Sequence, residues 1–388
     1  MRAVTALLTA TLLSAPAGAD DAKPAAGWPM FRGRPDLTGV APADALPRVP
    51  RPVAVEDGLE LVWTAKTGAG IESSAAIVAG TVYVSVMRTA DNMVVGELIA
   101  LHLADGKVKW TARLENPSRS SPAVAAGKVF VGDDGGVLYA FDAATGKPAW
   151  QFRAEDKIAG SPVVHDGKVL VGSYDCHLYA LDVGTGKEAW RFKAADQPIN
   201  CTPAIAGGAA FVSGCDQYLR VVDIATGKET AAINMDGQAG ASPAVVGDRA
   251  YVGTFDNSFL CIDWKAKKVV WAYRNADREF PFYSSAAVTD KLAVVGGRDK
   301  LVHAIDRETG KAVWTFQTRG KVDSSPLVVG DWVVVGSHDR KFYALDLATG
   351  KKLFEFAAGA AIAASPAVAE GRLVIANDEG DVFCFRRK

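Results

Sequence analysis

Residues 161–190 of this 388-residue chain read SPVVHDGKVLVGSYDCHLYALDVGTGKEAW and form one complete structural unit. Three short apolar runs in it are separated by turn-forming residues, and a fourth surrounds Trp190. Asp166-Gly167 and Thr185-Gly186-Lys187 supply the positive-φ positions that tight hairpin turns require. The runs are apolar without strict alternation, which indicates strands covered on both faces. The unit therefore predicts four short antiparallel strands.

The same unit recurs along the chain. Each unit opens on a Ser or Thr, and a position that is usually Trp lies 29 residues later in six of the seven units that contain both. The opening residues are Ser74, Ser121, Ser161, Thr202, Ser242, Ser285, Ser325 and Ser365. The Trp positions are Trp63, Trp110, Trp150, Trp190, Ala231, Trp271, Trp314 and Phe354. A period of about 40 residues with four strands per repeat is typical of a β-propeller.

The two ends of the repeat region are complementary. The unit that opens at Ser365 reaches Lys388 before its outermost strand, whereas Leu59–Ala65, which contains Trp63, is an outer strand without a unit. Pairing the two closes the ring and leaves no open sheet edge. We therefore predict an all-β fold: an eight-bladed β-propeller with four-stranded blades across residues 59–388, its last blade closed by the N-terminal strand.

The N-terminus has the features of an export signal. Met1-Arg2 gives a positive start, residues 3–13 are apolar, and Ala17-Gly18-Ala19 fits the small-residue cleavage pattern. No stretch of the sequence reaches the length of uninterrupted apolar residues that a membrane-spanning helix needs. We expect residues 1–19 to be a signal peptide and the remainder to be a soluble protein of the periplasm or another exported compartment.

Residues 20–58 form a Pro-rich leader. Pro42, Pro47, Pro50 and Pro52 disfavour both helix and strand pairing. Before them, Trp28–Gly33 contains two large aromatic side chains, which are costly to leave in water. Two interpretations stay open at this point: a loose tail, and a segment docked onto the propeller.

The charge balance limits the possible partners. Lys and Arg number 43 and Asp and Glu 44, for a formal net charge of −1, and 49% of residues are hydrophobic. The apolar content excludes a disordered chain. The charge balance excludes a generally basic nucleic-acid binder, although it leaves room for a local basic patch.

The repeats 138–150, 178–190 and 342–354 resemble propeller repeats of the pyrroloquinoline-quinone (PQQ) type. That resemblance implies the propeller fold, and it is shared by two kinds of protein. Quinoprotein dehydrogenases of alcohols and sugars bind PQQ and Ca²⁺ in the central funnel. Proteins similar to the outer-membrane protein assembly factor B carry no activity and hold partner proteins.

The enzyme landmarks that the resemblance implies are missing from the sequence. Quinoprotein dehydrogenases generally carry long insertions, and many have two adjacent cysteines, whereas this chain has near-minimal loops and no adjacent Cys pair. It also lacks a phosphate loop, an HExxH motif and a GxSxG motif. We expect a monomeric, non-catalytic scaffold that binds a protein or cell-envelope partner through one face. The alternative is a reduced dehydrogenase of alcohols or sugars with PQQ and Ca²⁺.

Departures from the repeat point to one face. The spacing is longer at 87–97, 194–200 and 275–283. Second-to-third-strand turns and blade-to-blade crossings all fall on the same face of a propeller, and function on rigid scaffolds concentrates in loops. Tolerated variation in loop length is the alternative explanation. The candidate partner or ligand residues on this face are Arg113, Asn116, Arg119, Arg278, Glu279, Phe280, Phe282, Tyr283, Arg298, His338 and Arg340.

Residues that recur in every blade are better explained by the fold. Asp175 and Asp182 have counterparts in the following blades, at turns where a carboxylate accepts backbone hydrogen bonds. An acid/base role for such pairs, or ligand stacking by the Trp series, would require a site in each blade. We expect both series to be structural.

The chain contains five cysteines. Cys201 and Cys215 lie almost symmetrically about the Gly207-Gly208 turn, and an oxidising compartment favours a disulfide between them. A copper or zinc site that uses Cys176 and His177 is the other interpretation of these thiols, but no CxxC spacing supports it.

Overall fold

The predicted architecture is confirmed. The computed structural model describes residues 27–47, 58–90 and 93–388, so the predicted signal peptide lies outside the described residues. Eight antiparallel sheets of four propeller strands each surround a central channel. One short 3₁₀ helix, Ala43–Ala45, lies in the described part of the leader. No helix in the described residues has the length and apolar character that crossing a membrane requires.

Each blade is a meander whose first strand is next to the channel and whose fourth strand is outermost. Blade one has Ala76–Val78, Thr81–Ala90, Met93–His102 and Val108–Arg113; blade two has Ala123–Ala125, Lys128–Gly132, Val137–Asp142 and Pro148–Arg153; blade three has Val163–His165, Lys168–Gly172, His177–Asp182 and Glu188–Lys193; blade four has Ala204–Ala206, Ala209–Ser213, Tyr218–Asp223 and Glu229–Asn234. Blade five has Ala244–Val246, Arg249–Gly253, Phe259–Asp263 and Lys268–Tyr273; blade six has Ala287–Val288, Leu292–Gly296, Leu301–Asp306 and Ala312–Gln317; blade seven has Leu327–Val329, Trp332–Ser337, Lys341–Asp346 and Lys352–Ala357; blade eight has Ala367–Ala369, Arg372–Ala376, Asp381–Arg387 and Leu59–Lys66.

Blade eight closes the ring as expected. Leu59–Lys66 pairs antiparallel with Asp381–Arg387, and Trp63 lies opposite Cys384. Every blade is thereby covered by a neighbour on both faces, which explains why residues 178–181 of a third strand are all buried.

The turns use the conformations that their residues predict. Asp166 and Gly167 both have positive φ, 45° and 69°, which matches the twist of the flanking strands. Gly186 has a φ of 71° in the turn between the third and fourth strands. The recurring aspartates hold these turns: Asp182 accepts hydrogen bonds from the N–H and the hydroxyl of Thr185 at 2.8 and 2.7 Å.

Tryptophans join neighbouring blades. The Trp314 indole of blade six donates to the Leu347 carbonyl of blade seven at 3.0 Å, and its ring covers Gly350. A β-carbon on Gly350 would lie 2.6 Å from that ring. Equivalent tryptophan–glycine contacts are Trp63 with Gly106, Trp110 with Gly146, Trp150 with Gly186, Trp190 with Gly227 and Trp271 with Gly310. The Trp series is therefore packing, as expected.

Where the Trp is missing, the glycine is missing too. Ala231 occupies the Trp position of blade four, and Lys267, with a φ of 55°, occupies the facing turn of blade five. Trp264 covers this interface instead, with its ring 5.2 Å from Phe211. Phe354 faces blade eight, whose third and fourth strands come from opposite ends of the chain and share no turn.

The leader is docked, and it fills one end of the channel. Gly27–Trp28 pairs with the first strand of blade one, and Val40–Ala41 runs parallel to the first strand of blade seven. Leader carbonyls between these strands accept N–H groups from other first strands, as Pro29 does from Val124 and Pro35 from Ile205, both at 2.7 Å. The Trp28 side chain is 3% exposed. Residues 27–47 are thus part of the folded propeller.

Candidate binding face and channel

The propeller has two faces that differ in the loops they carry. The crossing face carries the blade-to-blade crossings, such as residues 274–286, and the second-to-third turns, such as residues 297–300. The turn face carries the first-to-second turns, such as residues 166–167, and the third-to-fourth turns, such as residues 183–187. Blade one extends toward the crossing face in a long hairpin, Thr81–Ala90 with Met93–His102, which accounts for its longer spacing.

Two predicted site residues, Arg298 and His338, meet at one carboxylate on the crossing face. Arg298 binds Asp323 through two hydrogen bonds, 2.9 Å from Nε and 3.0 Å from Nη2. Lys321 Nζ lies 2.8 Å and His338 Nε2 3.5 Å from the same carboxylate. The Arg298 guanidinium also stacks on the Tyr283 ring, 3.4 Å from its centroid. Tyr283 and Asp323 of this group line the channel cavity, whereas Arg298 lines the neighbouring groove.

The carboxylate of this group stays charged across the physiological pH range. Burial alone would raise the pKa of Asp323, but the adjacent His338, Arg298 and Lys321 side chains outweigh burial and hold the pKa well below its usual range. Asp323 therefore offsets part of the positive charge of Arg298 and Lys321.

A groove lies beside this group, on the crossing face of blade six next to the crossing into blade seven; it is here called the 6–7 groove. It encloses about 620 Å³ and is lined by Arg278, Phe280, Arg298, Asp299, Lys300, Gln317, Thr318 and Arg319. The Phe280 side chain is 49% exposed. Arg278 donates to the Asp299 carbonyl and the Gln317 side chain at 3.1 and 2.9 Å. Within the described residues, Arg278, Lys300 and Arg319 have no carboxylate partner, so the 6–7 groove is basic.

The lengthened crossing before blade six is held in place by polar contacts to blade six. Asn275 donates to Asp299 at 2.7 Å, and Asp299 pairs with the fully buried His303 at 3.0 Å. The assignment of Phe282 to the exposed face is wrong. Its side chain is 1% exposed and packs 5.4 Å from His303 and 6.1 Å from Phe259, because the loop turns into the core after Phe280.

The other predicted face residues are not gathered into a site. Arg113 is exposed at the end of a fourth strand, and Asn116 binds Asp133 through its N–H and side-chain amide at 3.2 and 3.3 Å. Glu279 and Arg340 are exposed, Arg340 in a turn with a φ of 71°. Arg119 is at the mouth of the channel, where it pairs with Glu72 at 3.1 Å and Asp134 at 2.7 Å.

The channel contains a feature that sequence reasoning did not recognise as a possible site. The eight residues that open the repeats form a closed ring, in which each N–H donates to the hydroxyl of the next blade at 2.9–3.2 Å. The hydroxyl ring consists of Ser74, Ser121, Ser161, Thr202, Ser242, Ser285, Ser325 and Ser365. Its sequence signal was the strict recurrence of a hydroxyl residue at one register.

The hydroxyl ring lines a cavity of about 230 Å³, here called the cup. Phe31 of the leader also lines it, as do Glu72, Arg119, Tyr283 and Asp323. Next to Phe31, the Arg32 side chain is 1% exposed, and its Nη2 donates to the Ala286 carbonyl at 3.0 Å. Arg32 Nε and Nη1 have no hydrogen-bond partner among the described residues. Burial lowers the pKa of Arg32 to about 9, which leaves it charged at neutral pH.

The cup does not fit the PQQ and Ca²⁺ that the repeats imply. Its volume is below the roughly 300–1,000 Å³ of pockets for drug-sized ligands. Ca²⁺ takes about six to eight oxygen ligands. No group of three or more His, Cys, Asp or Glu side chains placed to hold a metal occurs in the described residues. Glu72 and Asp323, which line the cup, are already paired with arginines.

The predicted disulfide is wrong: all five cysteines are free. The Cys201 sulfur accepts the Ser213 N–H at 3.2 Å, as the Ser284 hydroxyl accepts the Gly296 N–H at 2.7 Å in blade six. Cys215 lies instead beside the Asn200 amide, at 3.8 Å. Burial raises the pKa of the Cys201 thiol to about 11, so it stays protonated at neutral pH.

The thiol and imidazole considered for copper or zinc belong to a turn. Cys176 has a φ of 73°, and His177 Nδ1 lies 3.2 Å from the Asp175 carboxylate. Asp175 also accepts the Glu155 N–H and the Tyr179 hydroxyl at 2.9 and 2.7 Å, which is the structural role expected of the recurring aspartates.

These features define a class: an eight-bladed β-propeller with tryptophan contacts between its blades and a ring of hydroxyls around its channel. Within it, the chain belongs to the family whose model is described as outer membrane protein assembly factor BamB, which matches residues 53–151, 96–278 and 275–388. The resemblance seen in the repeats is confirmed.

Known proteins of two kinds are similar to this chain. The structure of BamB from Moraxella catarrhalis has a TM-score of 0.70 at 18% identity and covers 84% of this chain and 97% of its own. A quinohemoprotein alcohol dehydrogenase from Comamonas testosteroni has a TM-score of 0.75 at 17% identity, with 94% and 81% covered. At these identities the likeness shows the fold.

A shorter match exists in sequence. The quinohemoprotein alcohol dehydrogenase ADH IIB of Pseudomonas putida is 32% identical over 83 residues, 19% of this chain and 12% of that protein. The match thus spans about an eighth of the dehydrogenase.

Proposed function

We propose that this protein is a non-catalytic propeller that binds a protein partner on its crossing face. The observation that carries the proposal is the 6–7 groove. It combines an exposed aromatic ring, Phe280, with Arg278, Lys300 and Arg319, which have no carboxylate partner in the described structure. Aromatic and Arg side chains are enriched where proteins bind each other.

The groove is built on a rigid base. The loop that carries Phe280 is tied to blade six by the Asn275–Asp299 hydrogen bond and by the buried Phe282. Arg298 is held in place by Asp323 and the Tyr283 ring. A surface preorganised in this way loses little conformational entropy on binding.

We place this partner in the cell envelope. The predicted signal peptide supports export, and the similarity to BamB supports a place among outer-membrane assembly proteins. Both features agree with an extracytoplasmic, periplasmic scaffold that meets another envelope protein through its crossing face.

A PQQ-dependent dehydrogenase of alcohols or sugars is the second candidate, which the local similarity to ADH IIB favours. The small cup and the paired carboxylates beside it favour the scaffold. PQQ and Ca²⁺ added to the purified protein should produce neither stoichiometric quinone absorbance nor dye-linked oxidation of alcohols or sugars. Stoichiometric binding with turnover would overturn the scaffold proposal.

A further inference from the structure

The cup is closed at one end by the chain itself. Leader carbonyls bind N–H groups of successive blades around the channel, among them Thr38 O to Val288 N at 2.9 Å and Gly39 O to Val328 N at 3.0 Å. Phe31 of the leader lines the cup together with the hydroxyl ring. Any solute therefore enters the cup from the crossing face.

The hydroxyl ring leaves hydrogen-bond donors unused. Each of its oxygens accepts one backbone N–H, and none of its O–H groups donates to a described residue. A hydroxyl can donate one hydrogen bond as well as accept. The cup thus presents eight O–H donors to its contents.

The charges at the mouth of the cup are largely compensated. Arg119 pairs with both Glu72 and Asp134, whereas Arg298 and Lys321 share Asp323, so three cations face three carboxylates. Paired charges of this kind contribute little net potential to the cavity.

Arg32 is different, because its charge has no counter-ion. The guanidinium is buried in the channel beside Phe31 and bonds only to the Ala286 carbonyl, one residue after ring member Ser285. It has no carboxylate partner in the part of the chain that the structure describes. Water screens such a charge weakly, so its field extends into the adjoining cup.

We propose that the cup binds a small oxyanion, such as inorganic phosphate, sulfate or a short carboxylate, through the O–H groups of the hydroxyl ring and the field of Arg32. Hydrogen bonds from several donors to an anion are stronger than those between neutral groups. The class is an anion rather than a neutral polyol because Arg32, a nearly fully buried charge without a counter-ion among the described residues, is positive.

Equilibrium dialysis of the full chain against labelled phosphate and sulfate, in a buffer without added chloride, tests this proposal. One saturable site per chain is expected. Arg32→Met should weaken binding about tenfold or more because it removes the buried positive charge, and Ser285→Ala should weaken it by a smaller factor because it removes one of several hydrogen-bond donors. Arg191→Gln, which removes an exposed guanidinium of blade three, is the matched control and should change nothing.

The Arg32→Met variant should still fold, since replacing a buried charge by an apolar side chain is often neutral or stabilising. Thermal unfolding checks whether the variant folds. If Arg32→Met does not fold, the affinity of Ser285→Ala tests the proposal instead, because the hydrogen bond that the Ser285 hydroxyl accepts is the longest of the ring, at 3.2 Å, and its loss should disturb the fold least. The proposal is overturned if no phosphate, sulfate or acetate saturates the protein. Full affinity in the folded Arg32→Met variant, full affinity in Ser285→Ala, or saturable binding of glucose without any response to anions would also overturn it.

Discussion

The turn face and the crossing face differ in how strictly they follow the repeat. On the turn face, Thr-Gly-Lys turns recur with the same hydrogen bonds, as at Asp346 and Thr349, and six tryptophan–glycine contacts join the blades. On the crossing face, loop lengths vary and the side chains differ from blade to blade. The repeated face holds the ring together, whereas the variable face supplies the groove and the open mouth of the cup.

The largest expected effect lies on the turn face. Trp314→Ala removes a ring that covers Gly350 and an indole hydrogen bond to Leu347, and it should lower the free energy of unfolding by about 3 kcal/mol. Urea denaturation measures this. Val313→Ala, at an exposed position of the same strand, is the control and should stay within about 0.5 kcal/mol. Equal losses in the two variants would show that the tryptophan contacts do not hold the blades.

Gly350→Ala tests the same contact between the Trp314 ring and the turn of blade seven. The added β-carbon meets the Trp314 ring and the residue has a φ of 70°, so the substitution should cost about 2 kcal/mol or more. In the Trp314→Ala background the steric part should disappear, and the two losses should not add. Strict additivity in the double-mutant cycle would contradict direct contact between ring and turn.

On the crossing face, the expected effect is on binding rather than stability. Lys300→Glu with Arg319→Glu reverses two charges of the 6–7 groove and should weaken partner binding about tenfold or more, with the free energy of unfolding within about 0.5 kcal/mol. Lys311→Glu with Lys351→Glu makes the same charge change on the turn face of the same two blades. If partner affinity fell equally in both double variants, the loss would be explained by the change in net charge and not by the groove.

The ion pairs of Asp323 with Arg298 and Lys321 on the crossing face should contribute a smaller amount to the free energy of unfolding. The pKa of Asp323 is lowered in the folded state, so its contribution is present above the unfolded value of about 3.9 and is lost as pH falls toward the folded value. Asp323→Asn should lose about 1–2 kcal/mol at pH 7, because the partners are partly exposed, and less at about pH 3. Urea denaturation at both pH values tests it, and an equal loss at both would rule out the charged group as the cause.

The smallest expected effect concerns the thiols. Cys215→Ser should leave the free energy of unfolding within about 0.5 kcal/mol, because Cys215 forms no bond to Cys201. Thiol titration of denatured, unreduced protein should find all five cysteines free. Three would restore the disulfide that the sequence predicted.

The repeat allowed the fold to be predicted because strand periodicity, turn residues and Trp spacing are local properties. The closure of blade eight by the strand of Trp63 followed from the incomplete last repeat, and the common face of the crossings followed from chain direction. The positions of side chains within irregular loops could not be predicted in this way, as Phe282 and Cys201 show. The direction of a loop side chain depends on the space that neighbouring blades leave, and the spacing of the repeats contains no information about that space.

The leader shows the same limit. The aromatic residues at Trp28–Gly33 left docking and a loose tail both open, because the docked position depends on leader carbonyls that accept N–H groups of several blades at once. The hydroxyl ring was visible as a recurring Ser or Thr, yet its closure depends on bonds between units about 40 residues apart, such as Ser325 N to the Ser365 hydroxyl at 3.0 Å.

The most direct test of the central claim is site-specific photo-cross-linking in the native envelope. A photoreactive side chain at Phe280, in the 6–7 groove, should capture a distinct protein, and the Lys300→Glu, Arg319→Glu background should abolish that product. The same probe at Lys311, on the turn face of blade six, should not give it. A product of equal yield from both positions, or one unaffected by the charge reversal, would contradict a partner-binding crossing face.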